Sequence, residues 1–170
     1  MGQVKDGPRP RGPRLFNSAL ETGVRTVFVL DASHPRPLDL LQLTWLDYLV
    51  VHTRDIGGPP SLHPDVPARM GELLVRRHLV QDGLNLVQRL HLVDAIFDPS
   101  GIRYCASDAA SAFIELMRAP YSQNLKTRAK WLMDHFAVKD DSAMEQYISE
   151  KIGRWAVEFQ GESDSDEAGL

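Results

Sequence analysis

The sequence predicts a mainly α-helical protein with one small β-hairpin, and three observations carry that prediction. Apolar residues recur at helical spacing through most of the chain. Helix-start signals and proline breaks divide that pattern into segments. Two runs rich in β-branched and aromatic residues, "LVDAIFD" and "IRYCAS", flank a short "PSG". A chain of 170 residues is long enough to bury roughly 70% of its unfolded surface in one core, so folding needs no metal or disulfide.

The elements follow in order. Residues 1–16, "MGQVKDGPRPRGPRLF", alternate Arg with Pro and Gly; they are expected to form a disordered basic arm, because such a composition buries little apolar surface. Ser18 followed three residues later by Glu21 reads as a capping box. It opens a helix to about Asp31, with Leu20, Val24, Val27, Phe28 and Leu30 as one buried stripe. "SHPRPLD" breaks the chain, since each proline disfavours helical geometry in the residue before it. A second helix, Leu38 to His52, carries Leu38, Leu41, Trp45, Leu46, Leu49 and Val50 around much of its circumference and should be central to the core. No period runs from Arg54 to Pro67. A third helix is expected from Ala68 to Gln81, and a short fourth one capped by Asp82, with Leu84, Val87 and Leu90 inward. After the hairpin, Ser107 and Asp108 should cap a helix from Ala109 to Met117. Pro120 should start another at its first turn, running to Phe136 with Leu125, Leu132 and Phe136 inward. Ser142 and Glu145 read as a capping box for a last helix to Phe159, with Met144, Ile148, Ile152, Trp155 and Phe159 on one face.

Helices followed by a hairpin directly after a short amphipathic helix is the order of a winged helix. The expected organisation is therefore a winged-helix-like core over 17–136, a C-terminal amphipathic helix over 137–160 and an acidic disordered tail over 161–170. A DNA-reading winged helix exposes Arg, Lys, Asn or Gln to base edges and cations on the wing to phosphates. Asn85, Gln88 and Arg89 are the candidate DNA contacts, yet the wing loop "DPSG" has no cation and brings Asp98. A docking module for other proteins is the stronger expectation, with a DNA-binding transcriptional regulator as the alternative.

Composition narrows the function classes. Hydrophobic residues make up 43%, charged residues 25%, and the formal net charge is -4. This argues against a dedicated nucleic-acid binder while leaving room for a local basic face. Cys105 is the lone cysteine, so Cys-rich zinc sites and an intramolecular disulfide are ruled out, which fits a reducing cytoplasm. No window approaches the ~20 apolar residues of a membrane span, so neither export nor a membrane partner is expected.

The densest cluster of reactive side chains is "DYLVVHTRDIGGPPSLHPD", from Asp47 to Asp65. His52 and His63 with Asp55 or Asp65 are acceptable zinc ligands, but their spacing matches no compact ligand motif. Ser61 lies in no Gly-x-Ser-x-Gly elbow. The chain has no Walker A loop, no G-x-G-x-x-G and no H-E-x-x-H. The expected role is a stiff connector between helices: Gly57 and Gly58 permit a reversal, and Pro59 and Pro60 stiffen the exit. No catalytic, metal or cofactor-binding residue is assigned, and no enzymatic activity is expected.

The candidate partner-binding residues are Arg76 and Arg77 in "LLVRRHLV", and Trp155 and Phe159 on the last helix, which could insert into a partner groove. Arg76, Arg77 and His78 otherwise read as a solvated face, as do Lys126, Arg128 and Lys130. Cys105 reads as an inert packed thiol.

The runs "ALETGVRTVFVLDASHPRPLDL", "WLDYLVVHTRDIGGPPSLHP", "GELLVRRHLVQDGLNLVQRLHLVD" and "FDPSGIRYCASDAASAFIELMRAPYSQNLKTRAKWL" resemble the middle component, type 2, of bacterial ABC three-component systems. These operons, Lamassu antiphage systems among them, pair an SMC-like ABC ATPase and an effector, frequently a nuclease, with a small middle protein. The resemblance covers Asn17 to Phe136 and leaves the arm, the last helix and the tail outside. It implies a non-enzymatic subunit that binds the ATPase and holds the effector inactive until foreign DNA is sensed. DNA would be met indirectly, through the complex, and no small-molecule substrate is implied.

Overall fold

The computed structural model describes residues 18–66 and 69–167, the side chains of 69, 70, 74 and 155–167 excepted. The basic arm over 1–16 and the side chains of Trp155 and Phe159 therefore lie outside the described residues. Six α-helices and a three-stranded antiparallel sheet make up the described part. Among the described residues no helix is long and apolar enough to cross a membrane.

Helix α1, Ala19–Ser33, starts where its capping box places it: Ser18 Oγ accepts from the Glu21 N–H at 3.2 Å, and the Glu21 carboxylate accepts from the Ser18 N–H. Its stripe is shorter at the front than expected, because Leu20 is 57% exposed while Val27, Phe28 and Leu30 are buried. Strand β1, Leu38–Asp39, is an element that the sequence does not predict. Two residues give no visible alternation, and the strand exists only through its pairing with β3, Leu38 opposite Tyr104 and Asp39 opposite Arg103. Asp39 then caps helix α2, Leu40–Val51, in a second capping box with Gln42. Every residue of α2 from Gln42 to Val51 is buried, whereas Leu41, expected inward, is exposed.

Helix α3, Arg69–Arg89, is one continuous helix where two were expected with a start at Asp82. Gly83 is a point of close packing and no break. A Cβ there would come 2.6 Å from the Gly23 backbone N, and one on Gly23 would come 2.9 Å from the Gly83 carbonyl. Glycine lets the backbones of α1 and α3 touch. The helix ends at His91, which takes φ 57, while the Leu92 N–H reaches back to the Val87 carbonyl and the His91 N–H to that of Gln88. This is a Schellman ending with histidine where glycine is usual. Leu90, expected inward, is exposed there.

Strands β2, Val93–Asp98, and β3, Gly101–Ala106, form the expected hairpin, with Asp98 opposite Gly101. Its loop is Pro99 and Ser100 alone; Gly101, at φ 129, is already strand. The sheet order is β1-β3-β2. Helix α4, Ala110–Leu116, has no side-chain cap at its start. Asp108 does not serve as one, and Ser107 accepts weakly from the Ala109 N–H at 3.3 Å while donating to the His91 carbonyl at 2.7 Å. Helix α5, Pro120–Phe136, opens on its proline as predicted. Helix α6, Asp141–Glu167, begins at Asp140, whose carboxylate accepts from the Ala143 N–H at 2.8 Å, two residues before the expected Ser142–Glu145 box. The helix continues into the stretch expected to be an acidic tail. Met144 and Ile148 bury its first turns. Asp141 fastens it to the body by accepting from Arg36 at 2.7 Å, Arg103 at 2.8 Å and Gln42 at 3.2 Å.

Candidate functional site

The core of the molecule holds a buried ionic knot. Asp47, 1% exposed in the middle of α2, accepts from Arg25 Nε of α1 at 2.7 Å and from Arg76 Nη1 of α3 at 2.7 Å. Arg25 reaches the second carboxylate oxygen at 3.1 Å and the Thr22 hydroxyl at 3.1 Å, and Glu72 pairs with Arg76 at 3.0 Å. Burial by itself would raise the Asp47 pKa, yet Arg25 and Arg76 hold it below the usual carboxylate range. Burial works against the Arg25 charge too, and Asp47 more than offsets it, so that pKa is raised. Arg76 lies 5.3 Å from the Tyr48 ring centroid, and its buried Nε has no hydrogen-bond partner. The knot ties three helices together at one carboxylate.

The Asp47–Asp65 segment extends this knot outward. His52 stacks on Tyr48 at 4.4 Å and meets the His63 ring edge-on at 6.1 Å. The Tyr48 hydroxyl donates to Asp55 at 2.6 Å, and His63 Nε2 lies 2.8 Å from the Tyr121 hydroxyl of α5. Burial first, then the Arg76 charge, pushes His52 down to about 4. Burial and then Arg25 do the same to His63, also to about 4. Both imidazoles are therefore neutral at pH 7. Among the described residues no group of three or more His, Cys, Asp or Glu side chains is placed to hold a metal ion. Ser61 Oγ accepts from the Arg54 N–H at 3.3 Å.

The backbone of this segment is fastened at both ends. After a 3-10 turn over Thr53–Ile56, Gly57 takes φ 76 in the left-handed region that glycine adopts without strain. Gly58 packs against the Trp131 ring, where a Cβ has no room. The Pro60 carbonyl accepts from Arg128 Nε and Nη2 at 3.1 and 3.0 Å, and the Val51 carbonyl accepts from the N–H groups of Leu62 and His63. These contacts are those of a connector clamped between α2 and α5.

The residues expected to face a partner separate in space. Arg76 belongs to the knot and presents nothing to solvent, because Asp47 and Glu72 hold it inside; Arg77 and His78 are exposed. Asn85 and Arg89 are exposed one turn apart, with Arg89 Nε donating to the Asn85 carbonyl at 3.3 Å, and Gln88 is half-buried. On the hairpin, Arg103 pairs with Asp98 at 3.8 Å as well as with Asp141. Lys126 pairs with Glu115 and Lys130 with Asp134. Cys105 is half-buried, and burial followed by nearby Asp94 pushes its thiol up, away from reactivity.

The family model of the ABC-three component (ABC-3C) system Middle Component 2 matches residues 15–158, most of the chain. The chain belongs to this family. No curated protein and no solved structure matches it. The match runs past both ends of the Asn17–Phe136 resemblance, so α6 as far as residue 158 is part of the middle component's domain. A component of a multi-part ABC system works with protein partners, and the surface rather than the knot must meet them.

The most accessible apolar pair in this middle component's sheet is not among the residues that the sequence singles out. Phe97 and Ile102 are cross-strand partners at the tip of the hairpin, 77% and 47% exposed. Strand alternation places them on the same face as Val93 and Tyr104, which are buried. The hairpin thus overhangs the core and carries its inner face into solvent. The sequence does hold a signal, an apolar "AIF" running up to the turn, but only the end of the core shows which of these residues it leaves uncovered.

Proposed function

We propose that this middle component is a non-catalytic adaptor of a bacterial antiphage or anti-plasmid defence complex. It bridges an SMC-like ABC ATPase and an effector nuclease in the cytoplasm and couples DNA sensing by the complex to release of the effector. Family membership carries this reading. Two features of the fold support it. The polar groups best suited to chemistry, Asp47, Arg25, Arg76, His52 and His63, are engaged in holding helices together. The overhanging Phe97–Ile102 pair offers an apolar anchor of the kind that dominates interfaces.

The element order α1-β1-α2-α3-β2-β3 with strand order β1-β3-β2 supports a winged-helix reading of the domain. In that reading the C-terminal half of α3 takes the recognition position and the hairpin is the wing. The exposed Asn85–Arg89 turn favours a second function, duplex binding by the isolated chain. The wing weighs against it, because Pro99 and Ser100 at its tip supply no cation and Arg103 is engaged by two carboxylates.

The deciding experiment is co-expression with the ABC ATPase and effector encoded beside it. A stoichiometric complex on size exclusion is the expected result. A middle component that elutes alone in their presence rejects the adaptor reading.

A further inference from the structure

The sheet ends on a strand with one free edge. In the order β1-β3-β2, strand β2 has β3 along one side and, among the described residues, no strand along the other. One bond fixes which backbone groups point that way: the Ser107 N–H donates to the Leu92 carbonyl at 3.0 Å, and these two residues continue the register that sets Val93 opposite Ala106. In an antiparallel ladder, pairs that exchange hydrogen bonds alternate with pairs that do not. Asp94–Cys105, Ile96–Arg103 and Asp98–Gly101 are therefore the bonded pairs of the hairpin. Val93, Ala95 and Phe97 turn their N–H and C=O groups away from β3. Val93 is buried, Ala95 half-buried and Phe97 exposed, so this edge runs from the core out into solvent.

Open strand edges are templates for further pairing, and proteins blunt them with proline, bulges or charge. Strand β2 contains no proline, and its register is unbroken from Val93 to Asp98. What it carries is charge of one sign on one face. Alternation places Asp94, Ile96 and Asp98 on the face opposite Ala95 and Phe97, and both aspartates are exposed. Arg103 holds Asp141 at 2.8 Å and comes only within 3.8 Å of Asp98. A strand added beside β2 thus meets carboxylates on one face and the Phe97 ring on the other. Opposite charges across a pair of strands favour pairing and like charges oppose it. A second copy of this chain fits badly, because the register that pairs Ala95 with Phe97 sets Asp94 against Asp98 twice.

We propose that β2 takes up, as a fourth strand of the sheet, an extended segment of a protein partner in which Lys or Arg alternates with apolar residues. The outward backbone groups of Ala95 and Phe97 bind the incoming backbone, the Phe97 ring gives it an apolar contact, and Asp94 with Asp98 select its basic face. The inference rests on the adaptor reading and adds to it the mode of docking and the chemistry of the docked segment.

Amide exchange of the full chain, alone and in complex with the ATPase and effector, tests it at single residues. The N–H groups of Ala95 and Phe97 should exchange about tenfold slower or more in the complex than in the free chain, because only a new hydrogen-bonded neighbour protects them. Ala95→Pro removes one outward N–H and no bond of the hairpin, a position where an edge strand tolerates proline; it should keep Tm and weaken the complex. Ile96→Pro removes an N–H that bonds β3 and should lower Tm instead. Should Ala95→Pro fail to fold, the exchange of the native chain still decides. A complex that forms while Ala95 and Phe97 exchange as fast as in the free chain overturns strand addition and leaves the adaptor reading standing. Absence of any complex rejects the adaptor reading and strand addition with it. Protection of the same two amides that grows with the concentration of the chain alone also overturns the proposal and makes β2 a dimer edge.

Discussion

Asp47 and Arg76 face each other at 2.7 Å in the middle of the fold, and Arg25 binds the same carboxylate at 2.7 Å. A single side chain therefore pairs with two buried guanidinium groups from two different helices, and Glu72 gives Arg76 a second carboxylate. Removing it leaves both cations without their shared partner in a desolvated site, the costly way to break a buried pair. Asp47→Ala should destabilise the protein by about 3–5 kcal/mol, read from urea unfolding at pH 7. A loss below about 1 kcal/mol would be the value of an exposed pair and would contradict the burial of the knot.

The crossing of α1 over α3 gives a sharper comparison, because two glycines on α3 have opposite surroundings, Gly71 open in the first turn and Gly83 closed in the interior. A methyl group added at Gly71 would meet nothing within 4 Å, whereas one added at Gly83 would run into the Gly23 backbone. Gly71→Ala should gain up to about 1 kcal/mol from helix propensity. Gly83→Ala should lose about 1–3 kcal/mol through overpacking, despite a propensity gain of its own. Thermal unfolding of the two variants should move Tm in opposite directions; shifts of the same sign would remove the close approach of the two helices.

These particulars show which parts of the fold are legible in the sequence. The Ser18–Glu21 box, the proline start of α5 and the hairpin are local signals, readable because the residues that make them are neighbours in sequence. Asp82 reads as the start of a new helix, because the reason for the glycine that follows it lies on Gly23, on another helix far back along the chain. Arg76 reads as a solvated cation because its partner Asp47 is on another helix; a charged residue inside the apolar "LTWLDYLVV" is the one trace of it. The two-residue β1 has no sequence period at all, since it is defined by β3. Of the candidate surface, the connector is legible from Gly and Pro, while the exposure of Phe97 depends on where the core stops.

The two neutral imidazoles set the pH response. His52 and His63 titrate near 4 in the folded protein and near 6.5 when unfolded, so between those values the unfolded chain binds more protons. Stability therefore rises with pH across this window and falls as pH drops from about 6.5 towards 4. Asp47, held low, adds its loss only below the unfolded carboxylate value of about 3.9. Urea midpoints should fall between pH 7 and pH 5 in the native chain and fall less in a His52→Gln, His63→Gln variant. Parallel pH dependence in both proteins would show that these two rings do not control it.

The last prediction separates the surface from the fold. Phe97 and Ile102 are cross-strand partners beyond the edge of the core, so replacing both with serine removes an exposed apolar pair and disturbs little that is packed. Surface substitutions of this kind stay within about 0.5 kcal/mol, and the Tm of the isolated protein should hardly move. An apolar anchor at the centre of an interface typically costs about 2 kcal/mol or more when truncated, which is roughly a thirtyfold rise in Kd. The double variant should therefore fold normally and yet drop out of the complex with the ATPase and effector on size exclusion. Because the two measurements are made on the same protein, unfolding cannot imitate the result. A variant that keeps its Tm and still co-elutes in full would move the docking surface off the hairpin, leaving the exposed side of α3 around Arg77 and His78 as the next face to test.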